Sequence, residues 1–278
     1  MLTIPELAAE ALGSHLAAHM DRRFRSTDAH LIERVQSAAR LAIECIGNSD
    51  ALYHNVEHTL LVTLVGYDIL NGRRLFTETN ASDSVHLIIA CLFHDIGYVR
   101  GILSDDSADG YIIDAEGNKA ELPRGSSDAA LMPYRVDRSK LFVMNRVAKV
   151  KSLDAARIAD AIECTRFPTT HHESDNEEGT LVNAANLIGQ LGDPHYLRKA
   201  NALYYEFEEV GKNKQLGYTS PADLIDLYPK FYWNSVSPHI QSAIRYLNVT
   251  SNGRQWIANL YSNIFRAERE LNLCGPQR

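Results

Sequence analysis

The chain has no uninterrupted apolar run approaching the roughly 18 residues that a membrane-spanning helix needs, which argues against a membrane span. Its opening segment, MLTIPELAAEALGSHLAAHM, lacks the basic start and unbroken apolar core of a secretory signal. There is no CxxC pair. Cys45, Cys91, Cys164 and Cys274 stand far apart in apolar surroundings, the pattern of buried, reduced thiols. These absences together give the expectation of a cytoplasmic protein. Basic excess is missing too: 28 Lys and Arg face 35 Asp and Glu, for a net charge of −7. Bulk nucleic-acid binding needs a basic face to neutralise phosphates, so the balance argues against that class, whereas it does not exclude a small phosphorylated substrate. Internal repeats and low-complexity segments are also lacking.

What is present is helical periodicity over most of the 278 residues, enough to bury a sizeable core. Ser26-Thr27-Asp28 offers an N-cap for a run from Ala29 to Cys45. Leu60, Leu61, Leu64, Val65 and Ile69 have helical spacing, with Gly72 as a stop. Ser82 or Asp83 can cap VHLIIACLFHDIG, which is apolar nearly all round and therefore reads as a buried helix. Further helices are expected near 139–150, 153–165, 180–191, 195–210, 221–232, 238–247 and 252–271. Residues 100–138 break the pattern with Gly, Asp and Ser. Within them YIID and KAEL flank Ala-Glu-Gly-Asn, the mark of a β-hairpin, and the segment reads as a structured flap.

Two stretches carry chemistry. LFHDIG ends the apolar helix with His94 and Asp95, and burying both there is costly unless they are paired or bind a metal. YHNVEHT places His54 and His58 four residues apart, on one face of a helix if that segment is helical. Imidazole and carboxylate ligands together suit a divalent ion.

As an ordered set, YHNVEHT, LFHDIG, IECTRFP, AANLIGQLGD and YYEFEE resemble the HD-domain metal-dependent phosphohydrolase superfamily, closest to its cyclic-nucleotide phosphodiesterase-like branch. The resemblance covers about residues 50–235. It implies an all-α fold, a single HD-type helical domain spanning 1–278. N-terminal helices would occupy 1–48, the core 50–235 with its hairpin insertion at 100–138, and C-terminal helices 236–278. It implies one or two divalent metal ions (Mn, Fe, Ni, Zn or Mg), with His58, His94 and Asp95 as first ligands and Asp95 bridging to any second ion. His54 resembles the acid that protonates the leaving oxygen, with Asn55 beside it. The implied reaction is hydrolysis of a nucleotide or similar small phosphoester by metal-bound hydroxide that Asp95 orients.

The family's last ligand is an aspartate in an Ala-Asp pair, and here that position is Asn186. An amide oxygen can bind a metal but brings no charge. Asp193, seven residues on, is a rival ligand, although Gly192-Asp193-Pro194 also reads as a helix stop and start. Spacing to YYEFEE favours Asn186. The departure keeps a second expectation alive, a degenerate HD protein that binds a ligand or partner without catalysis. A third is a di-iron HD oxygenase using His171 and His172 as added ligands, although their stretch also reads as a surface loop.

Glu163 and Thr165 are candidates to touch metal-bound water, against a plain helix-face reading. Lys119, Arg124, Arg135, Arg138 and Lys140 surround the flap, either to grip phosphate or to keep it soluble. Tyr98 and Arg100 follow the His-Asp helix closely enough to line a pocket. His86 reads as satisfied or exposed, Tyr204, Tyr205 and Phe207 as core or interface aromatics. Thirteen tyrosines and a long C-terminal helix are compatible with a homodimer.

Overall fold

Apolar residues recurring every three to four positions give α1 (Ile4–Phe24) and α2 (Ala29–Ile46), which pack along each other as a helical hairpin. The computed structural model describes residues 3–24, 29–168 and 176–273. The proposed cap Ser26-Thr27-Asp28, together with His171, His172 and Cys274, lies outside them. α2 rests on α4 (Ala81–Phe93), and α4 packs on α3 (Val56–Arg73), so the near-continuous apolar surface of α4 is covered on several sides. The remaining α-helices are α5 (Arg135–Arg146), α6 (Ala155–Glu163), α7 (Glu177–Leu191), α8 (Tyr196–Glu209), α9 (Lys212–Leu216), α10 (Pro221–Asp226), α11 (Tyr228–Phe231), α12 (Gln241–Leu247) and α13 (Ser251–Leu273). A single hydrophobic cluster runs from Ala9 in α1 to Ala267 in α13. The fold is all-α with one small hairpin, as the sequence pattern indicates.

That hairpin is shorter than YIID and KAEL implied. Strands β1 (Tyr111–Ile112) and β2 (Lys119–Ala120) pair antiparallel, Tyr111 opposite Ala120 and Ile112 opposite Lys119. The excursion around it is firmly anchored. Arg138, fully buried, donates to the Gly97, Val99 and Ile112 carbonyls and pairs with Asp106. Arg100 pairs with Asp50 and Asp128, and Ser127 donates to Glu209 on α8. Arg138 and Arg100 are thus structural.

Several local expectations are corrected. α4 is capped by Asn80, whose side chain accepts from the Asp83 N–H at 2.7 Å, rather than by Ser82 or Asp83. Gly72 lies within α3 and not past its end; a Cβ there would overlap the Tyr246 carbonyl, so the glycine serves the close crossing with α12. α5 begins at Arg135 and not 139, inside the flap range. The expected helix 221–232 divides into α10 and α11 at Leu227. Cys91 and Cys164 are buried and free, but Cys45 is only half-buried. No helix among the described residues is long and apolar enough to cross a membrane.

Candidate metal centre

His94 and Asp95 sit where α4 stops. His94 still has helical backbone angles, whereas Asp95 leaves them and begins the short 3-10 turn Ile96–Tyr98. Both are almost fully buried. His94 Nδ1 lies 2.8 Å from the Cys91 carbonyl, so it carries the proton and leaves the Nε2 lone pair free. Gly97 then lets the chain run against α5, since a Cβ would overlap the Arg135 carbonyl. This contact sets Arg135 Nε 3.1 Å from Asp95 Oδ1, while its Nη2 donates to the Thr165 carbonyl at 3.0 Å.

His54 and His58 approach each other differently from the expected single helix face. Asn55 is the N-cap of α3, its Oδ1 accepting from the Glu57 and His58 N–H groups. His58 is therefore in the first turn, and His54 lies before the helix, in a non-helical segment. Glu206 on α8 holds that segment. Its Oε1 accepts from the Tyr53 N–H at 2.7 Å and the His54 N–H at 3.2 Å, and its Oε2 is 2.5 Å from His54 Nδ1. Tyr98 stacks on the His54 ring, centroids 4.6 Å apart and planes 17° from parallel.

The nitrogens and the carboxylate converge. His58 Nε2 is 3.3 Å from His94 Nε2 and 3.3 Å from Asp95 Oδ2, and His94 Nε2 is 3.0 Å from the same oxygen. His54, His58 and Asp95 each present a ligand atom within 4.8 Å of the others. Burial pushes the His58 imidazole down to about 4, against the pull of Asp95, so it is an uncharged base at neutral pH. Burial alone would raise the Asp95 carboxyl, but the adjoining His94 and His58 imidazoles and the Arg135 guanidinium hold it well below the carboxylate range. Glu206 is likewise lowered by His54 and two backbone N–H groups despite its burial. Among the described residues the buried His58 Nδ1 has no hydrogen-bond partner, and Asp95 Oδ1 meets Arg135 as an ion pair without a hydrogen bond. Two borderline nitrogens and one hard oxygen, with buried polar capacity unspent, fit a divalent ion.

Beside this cluster opens a cavity of about 500 Å³. His54, Tyr98, Arg135 and Thr165 face one part of it, and α7 contributes Asn183, Asn186 and Gln190. Asn186 thus stands on the wall that His54 shares. Asp193 is placed otherwise. Its Oδ1 accepts from the His195 N–H at 2.7 Å, and its Oδ2 pairs with Lys199 at 2.5 Å, so both oxygens serve the turn into α8. Glu163 is tied to Lys140 and Arg166, which lower it to about 2 against the opposing effect of burial. Of the flap cations only Arg135 reaches the cluster. His86 is buried and satisfied, its Nδ1 on the Ser82 carbonyl and its Nε2 accepting from the Asp154 N–H. Tyr204 is core, Tyr205 is exposed, and Phe207 lines the cavity.

Sequence reasoning used YYEFEE only as a spacing landmark and missed Glu206. The signal was available: Leu203 and Glu206 are three apart, so the glutamate falls on the apolar stripe of an amphipathic helix, where an unpaired carboxylate would be costly. Lys212 was missed as well, for its place follows from a turn that no local pattern specifies.

A family model described as Npun_R2479-like matches residues 2–270, and the chain belongs to the Npun_R2479-like family. No curated protein sequence matches it.

Proposed function

We propose that the protein is a metal-dependent phosphohydrolase acting on a small phosphoester, with His58, His94 and Asp95 as the metal ligands. The observation that carries this reading is the convergence of His58 Nε2, His94 Nε2 and Asp95 Oδ2 within 3.3 Å, beside a cavity lined by cations. The HD-type motif order in the sequence supports the same class. A divalent ion held there would supply Lewis-acid polarisation of phosphoryl oxygens and a water of lowered pKa. The chain's own groups supply the rest. Arg135, on the cavity wall, holds Asp95 ionised. Glu206 fixes the His54 ring and the backbone beside it, which positions His54 to deliver a proton to the departing alkoxide. Tyr98 covers one face of that ring and limits its contact with water.

The test is hydrolysis of bis(4-nitrophenyl) phosphate by the purified protein after loading with Mn, Fe, Ni or Zn, beside elemental analysis. Wild type should retain metal and turn over, and His94→Ala should lose both. Full activity in that variant would sink the assignment. The asparagine at 186 favours one second reading, a ligand-binding protein without catalysis, because among the described residues it leaves Asp95 as the single carboxylate of the cluster. Metal binding without turnover of any phosphoester would select it.

A further inference from the structure

The cavity beside the cluster is also lined by Phe167, Phe207, Leu216, Tyr218 and Phe231. Among the described residues no carboxylate lines it, while Arg135, Arg166 and Lys212 do. Two of these cations are already neutralised: Arg135 by Asp95, and Arg166 by Asp137 and Glu163. Lys212 differs. Its ammonium lies 4.5 Å from the Phe207 ring centroid and 6.0 Å from that of Phe167, and among the described residues no carboxylate pairs with it.

A specific backbone feature puts it there. After α8 ends, Gly211 takes the left-handed conformation, φ 69°, which is open to glycine at little cost. The chain thereby turns into α9 with Lys212 at its first position. Dehydration and the repulsion of Arg135 both lower the lysine, as expected for a cation kept in an apolar wall beside another. The faces of Phe207 and Phe167 offset part of the dehydration but satisfy none of the three N–H donors.

We propose that Lys212 is the counter-ion for a second anionic group on the substrate, a carboxylate or a phosphate, carried in the same cavity as the phosphoester at His54. This rests on the phosphohydrolase reading for the identity of the first group. It narrows the substrate class to esters with an acid at each end and disfavours those with a neutral far end.

The test is calorimetric binding of three non-hydrolysable probes to the metal-loaded full chain: hexylphosphonate, 6-phosphonohexanoate and hexane-1,6-diyl bisphosphonate. Wild type should bind at least one two-acid probe about tenfold or more tightly than hexylphosphonate, the scale of a charge-assisted hydrogen bond. Which of the two binds better tells carboxylate from phosphate. Lys212→Met should abolish the preference and Lys212→Arg should keep most of it. Equal binding of all three by wild type, no binding of any, or a preference surviving Lys212→Met would overturn the proposal. The two readings fail separately. A Lys212-dependent preference in a protein that hydrolyses no phosphoester would refute the hydrolase and leave the anion anchor. Hydrolysis abolished by His94→Ala, with no such preference, would do the reverse.

Discussion

Glu206 Oε2 lies 2.5 Å from His54 Nδ1, and the other oxygen of the same carboxylate accepts both the Tyr53 and His54 N–H groups. One side chain from α8 therefore fixes the ring and the backbone of a residue 152 positions away. Because His54 precedes the cap of α3, no helix holds it, and Glu206 performs that task.

Glu206→Gln keeps an oxygen for the two backbone donors but removes the charge facing the ring. Catalysis on bis(4-nitrophenyl) phosphate should fall by about 10- to 100-fold, the range for a partner that orients a reactive histidine. Metal content should stay at the wild-type level. Loss of metal together with activity would instead indicate a purely structural part for Glu206.

Metal should stabilise the fold through the cluster. A ligand that binds only the native state at about 100 times its dissociation constant adds roughly 2.7 kcal/mol. Added Zn or Mn should raise the melting temperature of chelator-treated wild type by several degrees and should barely move His58→Ala or Asp95→Asn. Differential scanning calorimetry with and without chelator reads this directly.

The metal-free protein should also lose stability in acid over a defined window. His58 is lowered from 6.5 to about 4, so between those values the unfolded chain binds a proton that the native one does not. The contribution is present in full above pH 6.5, and falls away as pH drops toward 4, by roughly 3 kcal/mol in total. Asp95, held low, acts in the same direction at still lower pH. Urea midpoints of wild type from pH 7 to 4 should decline more steeply than those of His58→Gln, and parallel slopes would contradict the assignment.

How much of this could be read from the chain follows from where each interaction is encoded. LFHDIG was legible because two ionisable residues close a helix that is otherwise apolar, an anomaly visible within one element. The hairpin was legible from its turn residues. Arg135 and Glu206 were not, because their roles arise where distant helices meet, through the Gly97–α5 crossing and the Glu206–Tyr53 hydrogen bond. The His54–His58 pairing was foreseen for the wrong reason: Asn55 caps the helix between them, and a turn, not a helix face, joins the two rings.

Gly97 makes that crossing sensitive. Gly97→Ala inserts a methyl into the Arg135 carbonyl, with Ser139 N and Arg138 Cβ also in the way. Overpacking of rigid backbone should cost about 3 kcal/mol or more. If the variant folds, Arg135 must withdraw from Asp95, and metal affinity should change with stability. Chemical denaturation beside a metal titration separates it from Gly101→Ala. That substitution meets only backbone strain at φ 75° in open space, and should leave metal affinity alone.

Asn186 and Asp193 compete for the part of a further ligand, and their surroundings differ enough to decide it. Asn186 stands on the cavity wall with His54 and Arg135, whereas both oxygens of Asp193 are taken by His195 and Lys199. Asn186→Asp should therefore raise affinity for a divalent ion by about tenfold, because it adds charge on the wall that the cluster shares. Asp193→Asn should leave metal content unchanged and lower stability by about 1–2 kcal/mol, through the weakened turn and the lost Lys199 pair. Metal titrations and denaturation curves of the two variants give opposite patterns if Asp193 were the ligand, with affinity lost at 193 and unchanged at 186.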